Sequence, residues 1–258
     1  MFRRSFLAAI LACVLPWSIA APAEELQRQG LVVEVTDGDT VVLDGGRVVR
    51  LVGLQAPKLS LGRARVPDQP LSPEAKVALE NLVLGRGVEL WFGGERVDRY
   101  GRYLAHLSRD DGLWVQGEML RQGFARVYTF SDNRARASEM LAREHEARQD
   151  RRGIWRNEFY RIRDHAEAHR YVGRYELIEG RVVDVSIANR RTYVNFGQDW
   201  RQDFTATISP RDLASFRAGA IDPKSWVGKT LRVRGWIRAM NGPMIDVTHP
   251  EQIEVVSQ

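Results

Sequence analysis

Cysteine is almost missing from this chain, which carries one, Cys13, in 258 residues. No disulfide framework can form within it, so stability has to come from packed cores. Long apolar runs are also scarce. The one from Phe6 to Ala20 is short for a membrane span and contains Pro16. Strong charge of either sign is lacking as well, because 38 Lys and Arg oppose 33 Asp and Glu, a formal +5. Arg3 and Arg4 supply two of those charges, and the remaining +3 is a mild excess. It permits a nucleic-acid partner without requiring one.

What is present begins with a leader. Arg3-Arg4, the apolar run and Ala21-Pro22-Ala23 before Glu24 read as an export signal cleaved after Ala23, with Ala20 as second choice. A lipid-anchored Cys13 is the alternative, and the bulk of Leu11 counts against it. The expected mature protein is periplasmic or secreted, with no stable membrane insertion.

From Leu31 to Leu59 apolar and polar residues alternate with a strand's period, broken at Asp37-Gly38-Asp39-Thr40 and at Asp44-Gly45-Gly46. Both breaks have turn chemistry. Two carboxylates thus fall near the start of one strand and Arg50 within the next. Ser72-Pro73-Glu74 predicts a helix start with a capping hydroxyl, burying Val77, Ala78, Leu79, Leu82 and Val83. Strands follow at 88–92 and 103–107, with helices near 115–120 and 133–152.

Asp37-Gly38-Asp39-Thr40-Val41, Arg50-Leu51, Pro57, Asp98-Arg99-Tyr100-Gly101-Arg102, Gly123-Phe124-Ala125 and Gly153-Ile154-Trp155 occur in order. In this series the chain resembles the staphylococcal nuclease (thermonuclease) family over roughly half its length. The expected fold class is α+β, mainly β: an OB-type barrel with three helices over 28–156, a charged linker at 157–174, and a smaller, strand-rich OB-like domain over 175–258. The second domain rests on pattern alone. His165 and His169 lie one helical turn apart in the linker, but a solvated linker is the better reading of them than a metal pair. Trp200, Trp236 and Arg238 are candidates to stack on bases, although large aromatics in a small barrel are more often core or packed rim.

The resemblance implies a calcium held by two aspartates and a carbonyl, a glutamate that activates water, and two arginines that clamp phosphate. Asp39 matches the first metal-ligating aspartate and Asp37 its outer-shell neighbour. Arg50 and Arg102 match the arginines, whose planar forks meet two phosphate oxygens at once. Arg99 and Tyr100 match positions beside the bound nucleotide's phosphate and base, and Tyr128 is a candidate stacking residue. Two positions depart: Gln55 stands in the second metal-ligating aspartate's place, and Lys58 in that of the glutamate. An amide weakens a site whose affinity follows its carboxylate count, and an ammonium has no lone pair with which to act as a base.

Three readings follow. The first is a binder of single-stranded DNA, RNA or another phosphodiester polyanion, using Arg50, Arg102 and Lys58 with calcium hydrolysis weakened or lost. The second is an active endonuclease with a rearranged site. In it Asp37, Asp39 and Gln55 hold calcium or another divalent ion, while Asp68 or Glu74 orients water, or desolvation and Arg63 or Arg65 lower the pKa of Lys58 so that it acts as base. The third is an interaction scaffold in which the same charges only cap turns and pair with acids. The first is preferred because both arginines and the turn survive.

Overall fold

A computed structural model describes residues 25–62 and 67–257. The expected export signal and Arg63 and Arg65 lie outside the described residues. The N-terminal half runs β1 (Glu25–Asp37), β2 (Thr40–Leu43), β3 (Val48–Leu51), β4 (Gly53–Gln55), α1 (Ser72–Val83), β5 (Gly87–Phe92), β6 (Tyr103–Arg109), α2 (Val115–Arg121), β7 (Arg126–Tyr128) and α3 (Ala137–Gln149). Alternation turns Val35, Val41, Leu43, Val49 and Leu51 into one core. A register shift between Val32 and Glu34 leaves Val33 and Glu34 facing out in succession. The strands close into a five-stranded barrel in the order β1-β2-β3-β6-β5, with β3 parallel to β6. Outside it, β4 pairs antiparallel with β7.

The helices seal this core with some changes from expectation. Leu71, in a left-handed conformation, precedes α1, so Ser72 sits in the first turn and its buried hydroxyl has no hydrogen-bond partner. Val77 is 50 % exposed, and Ala75 faces inward instead. The third helix is shorter than 133–152 because Arg136 adopts φ 58° and breaks the turn before Ala137.

Residues 157–174 are folded rather than a solvated linker. They form short 3-10 turns and β8 (Arg163–Asp164), which pairs in parallel with β9 (Tyr175–Arg181). Tyr160 is buried and donates its hydroxyl to Pro70 O at 2.7 Å. His165 lies against the Phe196 ring, and His169 bonds Ala166 O. Hydrogen bonds and ring contacts, which charge content alone does not reveal, hold the segment in place.

The C-terminal half continues with β10 (Asp184–Ala188), β11 (Arg191–Asn195), β12 (Thr205–Ile208), α4 (Leu213–Ala218), β13 (Thr230–Ala239), β14 (Pro243–Val247) and β15 (Ile253–Ser257). They form a curled sheet in the order β10-β11-β12-β14-β13-β9-β8, with β15 on β13. Its separate core includes Val194, Phe196, Phe204, Phe216, Trp226 and Ile245. Trp226 is the buried tryptophan of this half, whereas Trp200 and Trp236 remain about half exposed. Among the described residues no helix is long and apolar enough to cross a membrane.

Buried polar contacts join the two halves. Arg234 of β13 bonds Glu144 of α3 at 2.9 and 3.1 Å, and reaches Glu254 of β15 and Val127 O. Arg148 of α3 also bonds Glu254, and Thr129 meets His249 at 2.8 Å.

Candidate functional site

The tight turn between β1 and β2 sets the site. Gly38 is required there: a Cβ would sit 2.7 Å from Ala56 Cβ and 3.0 Å from Ala75 Cβ, so the turn packs directly on the base of α1. Asp37 accepts the Gly38 N–H at 2.7 Å. The fully buried Asp39 carboxylate accepts from the Ala56 N–H at 3.1 Å and from Thr40 Oγ1 at 3.2 Å. Arg50 reaches it from β3, with Nη2 at 3.1 Å. Lys58 Nζ lies 2.5 Å from Asp39 Oδ2 and 3.4 Å from Asp37 Oδ2. Burial by itself would raise the pKa of Asp39, but the charges of Arg50 and Lys58 and the hydrogen bonds from Lys58 and the Ala56 N–H hold it below the usual carboxylate range.

Arg50 also donates to Leu51 O at 2.5 Å and Leu54 O at 2.8 Å, which ties β3 to β4. Across the cleft, Asp98 accepts the N–H groups of Tyr100 and Arg102 at 2.9 and 3.0 Å and takes Arg102 Nε at 2.8 Å. Desolvation opposes these bonds, yet they keep the Asp98 carboxyl below its ordinary pKa. Arg102 donates Nε and Nη2 to Asp98 and stays partly exposed. Tyr100 projects into solvent, with the Arg99 guanidinium 4.8 Å over its ring and bonded to its hydroxyl at 2.7 Å.

Of the residues picked out from sequence, Asp37, Arg50, Lys58, Arg99, Tyr100, Arg102 and Tyr128 line one cleft of about 1010 Å³. Asp39 lies beneath it. Gln55 is turned elsewhere: opposite Arg126 in the β4–β7 ladder, its amide oxygen accepts from Arg126 at 3.4 Å. Neither Asp68 nor Glu74 lines the cleft, and Asp68 accepts the Ser60 N–H at 2.6 Å. Sequence reasoning missed Phe130, Asp132, Asn133 and Glu95 in the lining. Phe130 follows Tyr128 at the strand's period of two, which was the available signal for it. Nothing local marks Glu95, Asp132 or Asn133.

These residues do not fit the calcium that the family resemblance implies. Calcium takes six to eight oxygen ligands. Here the two aspartates are balanced by the Lys58 ammonium together with Arg50, and the third expected donor faces Arg126. Among the described residues no group of three or more His, Cys, Asp or Glu could hold a metal ion. A divalent ion beside Asp39 would meet Lys58 at close range.

A closed five-stranded barrel, three helices and this turn-and-arginine cleft define the OB-like nuclease class of fold. The family described as staphylococcal nuclease homologue matches residues 48–157. Protein ParB of Escherichia coli is 34 % identical over 166 residues, covering 60 % of this chain and 88 % of that protein. The Oryza sativa protein named Probable staphylococcal-like nuclease CAN1 is 35 % identical over 107 residues, 42 % of this chain and 28 % of its own. Endonuclease YhcR of Bacillus subtilis (strain 168) is 30 % identical over 146 residues, 53 % of this chain and 12 % of its own. The chain therefore spans less than two thirds of the length of the latter two relatives. It belongs to the staphylococcal nuclease family.

Proposed function

We propose that the cleft binds single-stranded DNA, RNA or another phosphodiester polyanion, with Lys58 supplying from within the chain the positive charge beside Asp39. On this reading the calcium-and-glutamate hydrolysis of the family is weakened or lost. The observation that carries it is the Lys58 ammonium, 2.5 Å from Asp39 and 3.4 Å from Asp37. Together with Arg50 it balances the two carboxylates that would otherwise repel a phosphate. Arg102 lines the cleft and keeps guanidinium N–H groups that Asp98 does not take, donors of the kind that suit phosphate oxygens. Tyr100 offers an exposed ring for a base. Arg50, largely committed to backbone carbonyls, contributes more as a clamp on the site than as a hand on the ligand.

A second reading, a metal-dependent endonuclease with a rearranged site, is favoured by the names of the relatives CAN1 and YhcR. One experiment separates the two. The purified chain is incubated with single-stranded DNA and RNA and calcium, magnesium or manganese. The expected result is a salt-sensitive mobility shift, reduced in Arg102→Ala, with little metal-stimulated cleavage. Metal-stimulated cleavage abolished by Asp39→Ala establishes the nuclease instead. Absence of binding at low salt sinks both in favour of a scaffold.

A further inference from the structure

The second sheet meets the cleft at one aromatic edge. Tyr128 and Phe130 line the cleft, and Phe130 is 50 % exposed. Trp236 of β13 donates its indole N–H to the Tyr128 hydroxyl at 3.0 Å, and its own side chain is 48 % exposed. Tyr128 stands edge-on to both Phe130 and Tyr175 with centroids 4.8 Å apart, and Tyr175 lies 6.3 Å from the Trp236 ring. The exposed indole is thus held in place before any ligand arrives, which lowers the ordering cost of stacking on it. The core of this half is filled by Trp226 and three phenylalanines without help from Trp236.

Two residues further along β13, on the same outward face, stands Arg238. It and Arg191 of β11 both pair with Asp246. Two guanidiniums against one carboxylate leave a net positive charge beside the indole. A ring followed by a cation is the arrangement that takes successive bases and phosphates of a single strand.

We propose that Trp236, between Phe130 and Arg238, is a base-stacking platform by which the C-terminal half lengthens the cleft's path for single-stranded nucleic acid. This rests on the reading of the cleft as a phosphodiester site. The structural alternative makes Trp236 only a latch, holding Tyr128 through its N–H. Phenylalanine keeps a stacking face and loses that donor, so it separates the two.

The test is fluorescence anisotropy of labelled oligothymidylates of about 4 and about 16 nucleotides with the full chain at low salt. Wild type is expected to bind the longer strand more tightly than the shorter. Trp236→Ala weakens the longer complex about tenfold and leaves the shorter unchanged, while Trp236→Phe stays near wild type. Arg238→Glu, which leaves the aromatic contacts in place, also weakens only the longer complex, and it keeps the test decisive should Trp236→Ala unfold. The proposal is overturned if Trp236→Ala binds the longer strand like wild type, if Trp236→Phe falls to the level of Trp236→Ala, or if Arg238→Glu has no effect. Tight binding of the short strand with any of those results leaves the cleft reading intact. Failure of wild type to bind either strand overturns both.

Discussion

Two clusters of acids and bases organise this molecule, and they differ in what surrounds them. Beneath the cleft, Asp37, Asp39, Arg50 and Lys58 meet at a surface where the Lys58 side chain is 29 % exposed. Between the two halves, Arg234 and Glu144 meet with essentially no exposure, and Glu254 and Arg148 complete the group. The chemistry of the pairs is the same. In the dry cluster each charge depends on its partner, because nothing else can solvate it. In the cluster beneath the cleft, wet at its Lys58 edge, Asp39 is just as dry, and Lys58 is the member most in reach of water, so it is the partner whose loss solvent can best offset.

The comparison is broken most severely at the dry cluster. Arg234→Ala leaves Glu144 buried opposite an empty space and is expected to lower unfolding stability by about 3–5 kcal/mol, read from a urea denaturation midpoint. A loss as small as that of a surface pair would mean that the halves are not joined through this cluster.

Acid attacks this interface through His249 and the N-terminal half through His106. Burial pushes the His249 pKa down to about 4, with Arg134 and Arg234 adding to the effect, and burial and Arg136 push His106 down to about 4. Each histidine binds its proton more readily in the unfolded chain, so stability is complete above pH 6.5 and falls as pH drops towards 4. The expected loss by pH 5 is on the order of 1–2 kcal/mol per histidine, measured as a fall in the urea midpoint between pH 7 and pH 5. Glu254 acts lower. Burial opposes its ionisation, but Arg234, Arg148 and Arg232 bring its pKa to about 2, so its contribution is present above 4.5 and lost as pH falls towards 2. A midpoint unchanged between pH 7 and pH 5 contradicts the placement of His249 and His106.

The wet cluster should respond less. Lys58→Met removes a partly exposed cation and leaves Arg50 beside Asp39, so a loss of about 1 kcal/mol is expected in the same assay. A loss equal to that of Arg234→Ala would erase the distinction between the clusters. Smallest of all is Gln55→Asp. The new carboxylate faces Arg126, so stability should stay within about 0.5 kcal/mol of wild type and no calcium-induced rise in Tm should appear. A clear calcium-induced rise would show that position 55 reaches Asp39 after all.

The wet cluster was legible in the sequence and the dry one was not, for a physical reason. Asp37, Asp39 and Arg50 sit on adjacent strands joined by short turns, so local pattern brings them together. Glu144 and Arg234 are 90 residues apart. Glu144 lies in a helix crowded with charge, where each acid looks like a solvated face until the second sheet covers it. The connector at 157–174 was misread on the same ground. Its charges suggested solvent, while Tyr160 and Arg163 pack against chain from both sides. Val77 shows the limit of a helical stripe, since the face of α1 is set by the close approach of Ala75 to Gly38. Lys58 could be placed from sequence at the position of the family's glutamate, but only the fold turns its ammonium onto both aspartates.

The most direct measurement is a calorimetric titration of calcium into wild-type protein and into Lys58→Met. An internal ammonium that has taken the metal's place predicts no saturable heat in the wild type up to millimolar calcium. Saturable binding to wild type that disappears in Asp39→Ala would contradict it.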